Sequence, residues 1–169
     1  MASPGPPDIS ESNERIRWSV KCGLTSFARK AVIYEIHSQR PRLVLLAARE
    51  DWDPACGALS STEDLDMSNW LGSTNHRITP MNCIPGTDCY LRNGFDIVTL
   101  RQDGRPSQAN STLQKMFSQE WFGNLLVVKR GFYDRSRAIS ITSSEVSTIN
   151  ALVERWLELH IDNPLPGDE

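Results

Sequence analysis

Four consecutive apolar residues, Leu125-Leu126-Val127-Val128, constrain this chain more than any other feature. Side chains alternate across a strand, so a strand made of this run has no polar face to give to water. It must lie inside a sheet with cover on both sides. The flanks support a strand, with Gly123 before the run and "KRG" after it. "RAISIT", Arg137 to Thr142, then offers a second strand that pairs back across "GFYDRS".

The cover for one face is legible a few residues later. Thr142 and Glu145 have the spacing of a capping box. Val146, Ile149, Val153, Trp156 and Leu157 follow on one helical stripe, with Leu152 beside it. The expectation is a helix near 144–160 docked on the two-sided strand. A second helix is expected near 111–121, capped by Asn110 and stopped by Gly123, with Leu113, Met116, Phe117 and Trp121 on its inner face.

Other segments read as strands. Ile16, Trp18, Val20 and Cys22 alternate with polar residues, "AVIYEIH" is β-branched and aromatic, and "RLVLLAA" follows after "SQRP". A helix over Thr25–His37 competes with the second of these. "DIVTLR", Asp96 to Arg101, is a further strand. Residues 49–95 show no strong periodicity and are read as a long irregular segment, with a short helix over Thr62–Leu71 ended by Gly72. Strands outnumber helices and do not alternate with them. The class is therefore α+β, a mainly antiparallel sheet of about five to six strands packed by two helices.

At 169 residues, with 39% hydrophobic and 23% charged residues, the chain fits one globular domain over 15–161. Residues 1–14 are read as a disordered arm and 162–169 as a disordered tail, since neither holds the apolar side chains to pack. "MASPGPPDISESNE" lacks the basic start and apolar run of a secretory signal, and no stretch approaches the length of a membrane span. These features point to an intracellular protein, cytoplasmic or nuclear, with no membrane partner. The formal charge of −3 disfavours nucleic acid as a partner.

"WFGNLLVVKRG", "ISIT" and "INALVERWL", in the last third of the chain, resemble segments of uncharacterised proteins from basidiomycete fungal genomes. The resemblance implies a eukaryotic host and brings no activity with it.

Candidate chemistry is sparse. Cys83 and Cys89 flank a Pro-Gly turn in "NCIPGTDC". With Cys56 and His76 they have the elements of a zinc site, but C-x5-C is not the spacing of a zinc clip. A Cys83–Cys89 disulfide, a Cys83–His76 dyad and an acid–base pair of Glu35 and His37 are the other chemical options. No nucleophile elbow, zincin helix or phosphate loop occurs, and no cofactor is expected. Glu50 to His76 carries six acids and no Lys or Arg, with Trp52 and Trp70 as candidate exposed anchors for a protein partner. Lys129, Arg130, Arg135 and Arg137 surround Phe132 and Tyr133 at the tip of the expected hairpin 129–137, a candidate anion or nucleic-acid grip. The leading expectation is a non-enzymatic domain for an unidentified protein partner. The alternatives are that basic hairpin as a binding module, and a thiol- or zinc-dependent enzyme centred on 76–89.

Overall fold

The computed structural model describes residues 28–49, 61–101, 108–132 and 137–162. The expected strand Ile16–Cys22, the arm, the expected tail after Asp162, Trp52, Cys56, Tyr133 and Arg135 lie outside them.

The fold is α+β. Strands β1 (Ala28–Tyr34), β2 (Arg42–Ala47), β3 (His76–Cys83), β4 (Tyr90–Leu100), β5 (Leu125–Arg130) and β6 (Ala138–Ile139) form one antiparallel sheet. Its order is β2-β1-β5-β4-β3, with β6 also on β5. Helix α1 (Ser68–Leu71) is a single turn, α2 spans Ser111–Phe117 and α3 spans Val146–Asp162.

The Leu125–Val128 strand sits between β1 and β4, and all four of its apolar side chains are buried. Alternation divides them. Leu125 and Val127 join Val32, Tyr34, Phe95 and Ile97 under α3, where Ile149, Val153, Trp156 and Leu157 close the layer. Leu126 and Val128 join Ala31, Ile33, Val44, Leu46 and Val98 on the other face, beneath Leu65, Met67 and Leu71. Each fully buried Leu or Val contributes about 1.5–3 kcal/mol, so this one strand anchors two cores.

The α3 face carries an aromatic column. Trp121 and Trp156 have ring centroids 5.3 Å apart, and His160 stacks on Trp156 at 3.9 Å. Tyr34 is buried with its hydroxyl 2.7 Å from Asn150 Oδ1. Burial pushes its phenol well above the ordinary range, so it stays a donor.

Asn110 is the expected cap of α2, and it does more than cap. Its Oδ1 accepts from Leu113 N at 3.0 Å, while Nδ2 donates to Tyr34 O and Gly123 O, each at 2.9 Å. Ser111 Oγ lies 2.7 Å from both Ile36 O and Ser38 O, within reach of either for its one hydrogen, and Thr112 Oγ1 donates to Glu35 O. Three successive side chains thus tie the start of α2 to the β1–β2 turn.

Several boundaries differ from the sequence reading. The strand expected over 31–37 forms, in preference to the competing helix, but at Ala28–Tyr34, where it pairs with both β2 and β5. Residues 76–95 are not irregular: β3 and β4 form the longest hairpin of the sheet. The 62–71 helix is reduced to a 3-10 turn over Thr62–Asp64 and the one-turn α1, which does end at Gly72. Helix α2 stops before Trp121, at Ser118, which takes the left-handed φ of 55° expected of Gly123. The Thr142–Glu145 box caps a 3-10 turn that leads into α3.

Trp156 is 4% exposed and stands between the sheet and Trp121. Trp156→Ala is expected to lower unfolding stability by about 3–5 kcal/mol. Denaturant melts of that variant matching the parent would show that α3 does not dock through this ring.

Candidate interaction surface

The β3–β4 hairpin reaches past β5 at one end of the sheet. Its pairing with β5 begins at Phe95, opposite Lys129, so Tyr90 to Asn93 project beyond the end of β5 at Arg130. A register shift between Met81 and Cys83 bends the hairpin, and Ile84 N donates to Cys89 O at 2.8 Å to close the turn. Gly86 takes φ +78° at the tip, a conformation that favours glycine. The tip lies on the last turns of α3: a Cβ on Gly86 would meet Leu159 Cδ1 at 3.2 Å, and Arg155 Nε reaches Pro85 O at 3.4 Å.

Four large apolar side chains are exposed among the described residues: Tyr90 at 78%, Phe132 at 45%, Phe122 at 43% and Ile84 at 40%. Three of them are at this end. Ile84 and Tyr90 flank the turn. Phe132 follows β5, and the Arg92 guanidinium lies 5.2 Å from its ring centroid. Tyr90 and Arg92 are two residues apart on one strand and share a face. Tyr90, Arg92 and Phe132 are thus exposed at this end, with Arg92 against Phe132 and Ile84 exposed at the turn.

The base of this surface is a buried charge network. Arg130 Nε is 3.2 Å from Asp96 Oδ1, and its Nη2 donates to Asn82 Oδ1. Asp96 Oδ2 accepts from Thr62 Oγ1 at 2.7 Å. Asn93 Nδ2 donates to Arg130 O at 3.0 Å. Gly94 leaves room for the guanidinium, because a Cβ there would stand 2.5 Å from Arg130 Nη2.

Of the four cations of the expected hairpin, the three described ones, Lys129, Arg130 and Arg137, do not assemble into one site. Lys129 and Arg130 leave opposite faces of β5, as strand alternation requires. Lys129 Nζ is bound to Glu145 Oε2 at 2.6 Å on the α3 face, and Arg130 is committed to Asp96 on the other. Arg137 is exposed and lies near Arg29, whose own guanidinium donates to Ala138 O at 2.8 Å. Burial, and then the nearby Arg137, lower the Arg29 pKa.

The thiol readings separate in space. His76 opens β3 and Cys83 closes it, so seven steps of about 3.3 Å place them roughly 23 Å apart. They form neither a dyad nor a shared metal site. Cys83 pairs with Tyr90 rather than with Cys89, and both thiols are free. Among the described residues no His, Cys, Asp and Glu side chains converge as a metal-binding group. Glu35 pairs with Arg42 at 2.6 Å, and His37 is exposed in the turn after β1, so the acid–base pair is not formed on a strand. Trp70 is half-buried against the second core, with the Arg42 guanidinium 5.3 Å from its ring centroid, so it is not the exposed anchor expected.

Sequence reasoning passed over Ile84, Tyr90 and Arg92. The signal was present in the Pro85-Gly86 turn, which marks a hairpin whose flanking residues stand at its tip. No family model, curated protein or solved structure matches the chain. No helix among the described residues is long and apolar enough to cross a membrane.

Two outcomes follow. Gly94→Ala must push Arg130 away from Asp96 and is expected to cost about 1–3 kcal/mol, read by thermal or denaturant melts. A melt equal to the parent would show that the network relaxes freely. The second concerns Glu145. Burial alone would raise its pKa, but the hydrogen bonds from Lys129 and Thr142 outweigh it and hold the carboxyl below its ordinary 4.5. Its stabilisation is present above that value and is lost as pH falls through the depressed folded pKa. The Tm gap between wild type and Glu145→Gln should therefore close on acidification. A gap independent of pH would contradict the assignment.

Proposed function

We propose that this chain is a non-enzymatic protein-interaction domain that engages its partner through side chains at the hairpin end of the sheet. One observation carries the reading. Three of the four large apolar side chains exposed among the described residues lie at that end, one of them against an arginine. Tyr and Arg are enriched among the residues that dominate binding energy, and a surface set on a packed tip loses little entropy on binding. The acidic stretch with Trp52 and Trp70 is less well supported as the contact, because Trp70 is half-buried.

The anion-binding alternative loses support from the pairing of Lys129 and Arg130 with carboxylates. The thiol or zinc enzyme loses it from the separation of His76 and Cys83. The setting we propose is intracellular, cytoplasmic or nuclear, in a fungal host.

A photocrosslinking residue at position 90 tests the reading in host cells. It should capture a discrete partner that excess unlabelled protein displaces and that Ile84→Asp with Phe132→Asp abolishes. The same probe at His37 should not capture that partner. Equal capture at both positions, or capture unaffected by the double substitution, would overturn the proposal.

A further inference from the structure

The outer edge of β3 raises a separate question, because a strand edge invites pairing with another chain. Each residue of an antiparallel ladder turns its N–H and C=O either toward the partner or away, in alternation. The β3–β4 ladder runs without a break through Thr79↔Ile97, Pro80↔Asp96 and Met81↔Phe95. Pro80 has no N–H, so its pair cannot be a hydrogen-bonded one. Its nitrogen and carbonyl must point outward, along the sheet edge. By the same alternation, His76 and Ile78 also turn outward. Arg101 N donating to Asn75 O at 3.1 Å fits this parity, since Asn75 belongs to the inward set.

The outward groups can then be followed one by one. His76 N donates to Thr74 O at 3.1 Å, and His76 O accepts from Arg101 Nε at 3.3 Å. Pro80 offers a carbonyl and no donor. The register shift after Met81 ends the regular edge. Ile78 alone keeps both an outward donor and an outward acceptor without a partner among the described residues. The far edge of the sheet is closed differently. Beside β2, Asp66 N donates to Ala47 O at 2.8 Å, Arg49 N donates to Asp64 O at 2.9 Å, and Leu65 bridges Ala48. Pro41 precedes that strand.

We propose that β3 is a strand edge closed to addition, that Pro80 is the residue that closes it, and that its occupant once opened is the β3 of a second copy. A second copy fits because an antiparallel pairing of β3 with itself is isologous: each outward group finds its equivalent across a two-fold axis. Restoring a donor at position 80 gives Ile78 and residue 80 adjacent outward pairs, enough to nucleate such a junction.

The test compares wild type with Pro80→Val by size-exclusion chromatography with light scattering over a concentration series, and by amide hydrogen exchange. Wild type should remain at monomer mass with the Ile78 amide unprotected. Pro80→Val should move toward twice that mass as concentration rises, with the amides of residues 78 and 80 gaining protection together. Adding Arg101→Ala, which releases His76 O, should shift the same transition to lower concentration. The proposal fails if Pro80→Val keeps the parent's circular dichroism and stays at monomer mass. It also fails if wild type is already a dimer with Ile78 protected. A Pro80→Val chain that loses the fold counts against it as well, because an outward N–H disturbs nothing inside the sheet.

Discussion

The demand for two-sided cover at Leu125–Val128 organises the molecule. A strand with no polar face cannot be an edge and cannot face water, so β1 and β4 must flank it and a layer must close each side. The two layers are unequal. One is the long amphipathic α3, whose stripe is regular and well capped. The other is improvised from the Thr62–Leu71 segment, which contributes Leu65, Met67 and Leu71 without a helix longer than one turn. Where β5 runs out of apolar residues, its last two side chains become the ion pairs that fasten each layer: Lys129 to the start of α3, and Arg130 to the Asp96 that also holds Thr62. A single six-residue strand therefore supplies both the apolar anchors and the charged ones.

The same economy explains why Lys129 and Arg130, adjacent in the sequence, do not cluster in space. Adjacent cations on a strand are separated by the sheet itself: Lys129 is paired with Glu145 of the covering layer, and Arg130 with Asp96 of the neighbouring strand. Among the described residues, the large apolar side chains exposed at that end are Ile84, Tyr90 and Phe132, with Arg92 beside Phe132 and the Arg130–Asp96 pair nearby. The cost of burying that guanidinium is offset by Asp96, Asn82 and the missing side chain of Gly94, which together fix the base on which Tyr90 and Phe132 stand.

Legibility in the sequence followed burial. β5 and α3 could be read directly because their patterns are set by the core they face. β3 could not, since only Met81 among its residues is buried and its first four residues are half-buried whichever face they take, which leaves no alternation to read. β4 was recognised only from Asp96 onward because its first residues are exposed and Gly94, a poor strand former, is there to admit Arg130 rather than to end a strand. The end of α2 was misplaced because Ser118 adopts the left-handed conformation that glycine usually takes. Of the surface, Phe132 was found, while Tyr90 and Ile84 were hidden by the two cysteines beside them, whose chemistry the fold does not use.

Asn110 carries a consequence of a different kind. "Asn-Ser-Thr" at 110–112 is also the acceptor sequence for an N-linked glycan, and attachment takes place at the amide nitrogen. In the folded domain that nitrogen is buried and both its hydrogens are spent on Tyr34 O and Gly123 O. Folding and glycosylation at this position are therefore mutually exclusive. A sugar added to the nascent chain would hold apart β1, the start of α2 and the entry to β5, so a route through a glycosylating compartment would yield a chain barred from its own fold.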